Sequence, residues 1–147
     1  MNLYLFFSKA LMAACLFTLF LGACSTMQPA DSLYSQLGEQ EGIEQLTDAF
    51  IEHIQYDKKI LPYFIKTDIV RFREKFIEQM CMISGGPCQY TGDSMSEVHG
   101  GMNINEHHFN ALVDDLITAM ESINLATGTQ NQLLNLLAPM RKDIIYR

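Results

Sequence analysis

Tyr90-Thr91-Gly92-Asp93-Ser94-Met95-Ser96-Glu97-Val98-His99-Gly100-Gly101-Met102-Asn103-Ile104 sets one histidine at the end of a short helical segment. Asp93 or Ser94 is placed to cap that segment. Met95, Val98 and Met102 recur at spacings of three and four residues, which predicts that they flank His99 on one helical face. An imidazole among Met, Val and Ile side chains is desolvated, stays neutral and keeps a nitrogen lone pair. Such a residue suits a metal centre in an apolar slot.

On either side the chain reads as helix. Ser32 to Leu37 form a short turn of helix stopped by Gly38. Residues 39–56 carry Ile43, Leu46, Phe50 and Ile54 as one apolar stripe. Asp68 is a candidate N-cap, with Ile69, Phe72, Phe76 and Met80 repeating behind it. Gly85-Gly86-Pro87 ends that helix. Residues 105–122 present Phe109, Leu112, Val113, Leu116, Ile117 and Met120 on a broad face. Thr127-Gly128-Thr129 reads as a break, with Thr129 capping a last helix that carries Leu133, Leu136, Leu137, Met140 and Ile144, bent at Pro139. No alternating run is long enough for a sheet, and no segment repeats. The fold class is all-α.

A chain of 147 residues is enough for one domain and one core. Its net charge of −7, without a Lys/Arg cluster, argues against a nucleic-acid surface. Residues 10–23 are almost wholly apolar behind Lys9, the length of a signal-peptide core and short of the roughly 20 residues that span a bilayer. The run ends in Leu21-Gly22-Ala23-Cys24, which resembles the lipobox of bacterial lipoproteins. The expectation is a signal over residues 1–23, a lipidated Cys24 at the head of a tether over residues 24–31, and a domain over residues 32–147, with a plain secretory signal or an uncleaved membrane anchor, which the apolar Leu3 to Phe7 keeps open, as the alternatives. The lipid on Cys24 would hold the chain to a membrane of the bacterial cell envelope. Ser25, by analogy with enteric sorting, points to the outer membrane, facing the periplasm. Cys81 and Cys88 then remain in a compartment that permits disulfides, where a bridge and two free thiols are both open.

The histidines His53, His99, His107 and His108 form no H-x-x-x-H pair, and no carboxylate-histidine motif for zinc or di-iron occurs. No nucleophile–base pair, phosphate loop or acid–base carboxylate pair supports a hydrolase.

Several pieces, in order, resemble the group I truncated haemoglobins. They are Ser32-Leu33-Tyr34, Leu37-Gly38, Ala49-Phe50, Tyr63-Phe64, Gly85-Gly86-Pro87, Tyr90-Thr91-Gly92, Met95 to His99, Gly100 to Ile104, Phe109, and Leu137 to Ile144. The resemblance implies a two-over-two helical globin sandwich around one haem b, with His99 as the proximal iron ligand. It implies that Phe64 packs on the haem face and that Tyr90, Met95, Val98, Met102, Ile104, Phe109 and Leu112 line the pocket. Where many members of that family carry a distal tyrosine and glutamine, this sequence has Ile51 and Phe76, with Phe72 one turn earlier. The implied distal side is apolar. Dioxygen held there forgoes hydrogen bonds worth roughly 1–3 kcal/mol in total, whereas CO and NO depend on them less. Lys75 is the polar candidate, either as an internal iron ligand or as a partner of a haem propionate or solvent.

The resemblance thus implies a globin that reversibly binds the diatomic gases O2, NO and CO. NO dioxygenation or peroxidase-like turnover is the enzymatic version, and it needs a reductant the sequence does not identify. The competing reading is a haemless helical lipoprotein with a structural or protein-binding role.

Overall fold

The computed structural model describes residues 32–147; the expected signal, Cys24 and the expected tether lie outside the described residues. Helix α1 (Leu33–Gln36) is capped by the Ser32 hydroxyl, and α2 (Glu39–Tyr56) starts after Gly38, whose φ of 86° makes the turn. Short α3 (Leu61–Phe64) opens with Pro62 in its first turn. Helix α4 (Ile69–Ile83) is capped as expected by Asp68, which accepts from the backbone N–H groups of Val70 and Arg71. Helix α5 (Met95–His99) begins at Ser94, whose hydroxyl and the Glu97 carboxylate close a reciprocal capping box. Helix α6 (Glu106–Ser122) and α7 (Thr127–Leu137) follow, then a 3₁₀ turn over Ala138–Asp143. Among the described residues there is no strand, as the all-α reading requires.

The core forms where α2 packs against α4 and α6. Ile43, Leu46, Phe50 and Ile54 of α2 meet Ile77 and Met80 of α4, and Ala111, Leu116 and Met120 of α6. The expected stripe of α2 is therefore its buried face. Leu133 of α7, fully buried, closes the same cluster.

Four expectations need correction. Thr127 and Gly128 lie inside α7, which starts behind Ala126 without a side-chain cap. The chain turns earlier, at Asn124, with φ of 58°. Thr129 is buried and donates its hydroxyl to Gln36 Oε1 at 3.1 Å instead of capping. Pro139 does not bend a continuous helix: α7 stops at Leu137 and the chain tightens into the 3₁₀ turn, because proline at its start has no N–H to extend the α-helix. Met102 lies beyond α5, after the Gly100-Gly101 turn.

Two ties fix the ends of the site. The Cys81–Cys88 pair is bridged, with Cα atoms 5.8 Å apart, so the loop leaving α4 returns against it. Gly86 fits there because a Cβ would lie 2.6 Å from both Cys81 Sγ and the Tyr34 ring. At the other end, Tyr146 N–H donates to the Ile104 carbonyl at 2.8 Å and Asn103 N–H to the Arg147 carbonyl at 3.0 Å. The C-terminus thereby braces the turn that comes after His99.

Candidate functional site

A cavity of about 370 Å³ opens between α4 and α5–α6. That volume falls within the roughly 300–1,000 Å³ of small-molecule sites. Helix α4 contributes Phe72, Lys75, Phe76 and Gln79; α5 contributes Met95, Val98 and His99; α6 contributes Phe109 and Leu112. Phe50 from α2 and Phe64 from α3 complete one wall. A second cavity of about 100 Å³ shares Phe64, Phe72, Val98 and His99 with the first and adds Met102 and Ile104.

His99 stands at the junction of the two. Its Nδ1 lies 2.8 Å from the Met95 carbonyl oxygen, one turn back on the same helix. A carbonyl can only accept, so Nδ1 carries the proton and donates. The other ring nitrogen, Nε2, is left with its lone pair on the opposite edge. Burial pushes the His99 pKa below the ordinary imidazole value, partly offset by the hydrogen bond to Met95. Desolvation and tautomer agree: the ring is neutral and its Nε2 is a donor atom.

One wall of the larger cavity is aromatic. The Phe64 and Phe72 rings are 5.1 Å apart at 79°, Phe72 and Phe76 are 5.7 Å apart, and Phe76 and Phe50 are 5.1 Å apart. Continuous ring contacts leave no hydrogen-bond donor along this wall.

Polar groups gather at the rim. Lys75 Nζ donates to Glu74 and Glu78, both at 2.8 Å, and to the Thr91 hydroxyl at 2.7 Å. Hydrogen bonds to Glu74 and then Glu78 raise its pKa, so the amine is held charged. Glu78 also accepts from the backbone N–H and hydroxyl of Thr91, both at 2.9 Å. The Lys75 hydrogen bond, followed by that of the Thr91 backbone, lowers the Glu78 pKa to about 2. Tyr90 donates its hydroxyl to the Asp93 carbonyl at 2.8 Å. The loop carrying residues 90–93 is thus gripped by α4 and delivers Ser94 to cap α5, which sets the position of His99. Arg71 pairs with Asp93 at 3.1 Å, both more than half exposed.

A model of bacterial-like globins matches residues 32–146. The chain belongs to the bacterial-like globin family. The group 1 truncated hemoglobin GlbN of Mycolicibacterium paratuberculosis is 30% identical over 117 residues, covering 80% of this chain and 85% of that protein. The GlbN of Nostoc commune is 30% identical over 116 residues, covering 79% of this chain and 98% of its own. The solved truncated hemoglobin of Tetrahymena pyriformis, in its Fe(III) form, gives a TM-score of 0.75 over 78% of this chain and 98% of that one. At 24% identity that likeness speaks for the fold, the two-over-two globin sandwich.

In this globin, Phe64, Phe72, Lys75, Phe76, Tyr90, Met95, Val98, His99, Phe109 and Leu112 line the larger cavity, where the sequence placed a pocket. Met102 and Ile104 line the smaller one. Ile51 lines neither. One residue along a helix is a rotation of about 100°, and the inward face of α2 belongs to Phe50. Sequence reasoning missed Gln79, whose amide nitrogen sits 3.7 Å from Met95 Sδ and 3.6 Å from Met140 Sδ. It also missed the hydrogen bond between Tyr63 and His108. Gln79 was legible only as one turn beyond Phe76 on the same helix face; the pairing of Tyr63 with His108 had no local signal.

Proposed function

We propose that this globin holds one haem b in the larger cavity, with His99 as its proximal iron ligand, and reversibly binds diatomic gases. The observation that carries the reading is the fixed tautomer of His99: Nδ1 is committed to Met95, and Nε2 faces outward from the helix as a neutral donor. A hydrogen bond on the far nitrogen commonly supports a metal-bound histidine, holding its orientation and raising its basicity. The surroundings fit the group. The aromatic wall and the Met, Val and Leu side chains match an apolar macrocycle. Arg71, held only by an exposed ion pair of small worth, is free to exchange Asp93 for an acidic haem substituent. Haem iron held by a histidine supplies an open coordination position for a gas.

The chain's own residues set the ligand preference. Phe72 and Phe76 offer no hydrogen bond and the Gln79 amide is directed to the Met95 and Met140 sulfurs, which favours CO and NO over dioxygen. Lys75, charged and bonded three ways, stays at the rim instead of presenting a free amine to iron. The relatives support the reading: they are truncated hemoglobins, and a solved 2/2 hemoglobin from Synechococcus is described with covalently attached heme.

Export and anchoring through a lipid on Cys24 belong to the same proposal. The Cys81–Cys88 bridge supports it, since structural disulfides persist in oxidising compartments. Among the described residues no helix is long and apolar enough to cross a membrane. The test is haemin titration of residues 25–147, then reduction under CO. Saturable one-to-one uptake with a sharp Soret band supports the reading. No saturable uptake turns the account toward a haemless, partner-binding lipoprotein. Mass spectrometry of the membrane-extracted chain tests the anchor: a mature N-terminus other than lipidated Cys24 refutes it.

A further inference from the structure

The smaller cavity holds a pair of groups that gas binding does not use. Tyr63, from α3, and His108, from α6, both line it, as does His99. The Tyr63 Oη and His108 Nδ1 atoms are 2.7 Å apart, and the two rings meet edge-on at 62° with centroids 5.3 Å apart. A phenol that loses an electron becomes a strong acid, so its oxidation is easy where a base already shares the proton. His108 Nδ1 is such a base in the tautomer that carries the ring proton on Nε2, and Tyr63 then donates to it.

Among the described residues, the other tyrosines lack this arrangement. Tyr90 lines the larger cavity but donates to the Asp93 carbonyl, which takes up no proton. Tyr34, Tyr56 and Tyr146 line neither cavity. The chain has no tryptophan, and Cys81 and Cys88 are locked as a disulfide.

We propose that Tyr63 and His108 form a proton-coupled electron donor to the haem cavity, used when peroxide is reduced there. The proposal rests on the haem reading above. Peroxide leaves as two waters after taking up two electrons, and two protons from solvent. Tyr63 supplies one of those electrons, and a haem group held at His99 would supply the other. As Tyr63 is oxidised, its O–H bond breaks and an N–H bond forms at His108 Nδ1, leaving a neutral tyrosyl radical beside an imidazolium. Two equivalents of a one-electron reductant of the phenol or ascorbate class then close the cycle: one returns an electron to Tyr63 as the proton moves back from His108, the other restores the haem group, and the two protons they release replace those drawn from solvent.

The test uses ferric protein whose haem uptake is first confirmed by its Soret band. It is mixed with hydrogen peroxide, freeze-quenched and examined by electron paramagnetic resonance. The expected signal is a tyrosyl radical with an exchangeable proton coupling that disappears in heavy water. Tyr63→Phe abolishes it and Tyr56→Phe, at an exposed tyrosine outside both cavities, keeps it. His108→Gln, which can still hydrogen-bond but is no base, loses most of the yield. Trapping with a nitroso compound and peptide mapping of the unaltered protein places the adduct on Tyr63, so the result does not depend on any variant folding. A Soret band together with a radical that survives Tyr63→Phe, or an adduct mapped elsewhere, overturns this inference and leaves the haem reading standing. Failure of haem uptake overturns both.

Discussion

The Nδ1 atom of His99 lies 2.8 Å from the carbonyl oxygen of Met95, four residues earlier on the same five-residue helix. Because burial lowers the His99 pKa, the folded apoprotein binds that proton less readily than the unfolded chain does. Stability from this residue is fully present above the unfolded value, about 6.5. It is lost as pH falls through the lowered folded value. Thermal unfolding of apoprotein between pH 7.5 and about 5 should show that loss, and His99→Leu should show less of it. An equal pH slope in both proteins would remove this residue as the cause.

With haem in the larger cavity as proposed, the aromatic wall of Phe64, Phe72 and Phe76 would set ligand preference. Placing an amide on it by Phe76→Gln adds about one hydrogen bond to held dioxygen, worth roughly 0.5–1.5 kcal/mol. Dioxygen dissociation should slow by roughly two- to tenfold, with a smaller change for CO. Flash photolysis and stopped-flow dissociation measure both. Equal slowing of the two gases would mean that the substitution acts by blocking escape.

Lys75 and Glu78 form a charged clasp on Thr91. Glu78 has a depressed pKa, so the clasp is intact above its ordinary value of 4.5 and is lost as pH falls from there through about 2. Protection of the Thr91 amide, taken relative to intrinsic exchange, should fall across that window, and in Glu78→Gln it should already be lost above it. With the amine bonded three ways, Lys75→Ala should leave the ferric resonance Raman spectrum at neutral pH unchanged. A shift from six- to five-coordinate iron in that variant would show the amine on the metal.

The Cys81–Cys88 bridge closes a short loop, for which chain entropy gives about 2–3 kcal/mol. Paired replacement by serine should lower unfolding free energy by that order. Alkylation of the unreduced protein should modify neither cysteine; two labelled thiols would refute the bridge.

Much of this site is written locally. Asp68 and Ser94 bond the N–H groups just ahead of them, so capping residues and apolar periodicity find α4 and α5. The pocket face of α4 follows from the same spacing, as Phe72, Lys75, Phe76 and Gln79 all fall on it. Thr129 was misread because its partner, Gln36, is 93 positions away, and burial beside it outweighed its preference for a cap. Tyr63 and His108 meet across 45 positions, on helices that only the packed core brings together. Ile51 shows the other limit. Its place beside Phe50 in sequence says nothing of which way α2 is turned, and that rotation is set by the packing of Ile43, Leu46 and Ile54.

The central claim is that His99 Nε2 binds iron. The most direct measurement is the resonance Raman spectrum of the ferrous, gas-free protein in the iron–imidazole stretching region. The account requires a band there in the unaltered protein, its loss in His99→Gly, and its return when free imidazole fills the space left behind. A band that persists unchanged in His99→Gly would contradict it and place another residue on the metal.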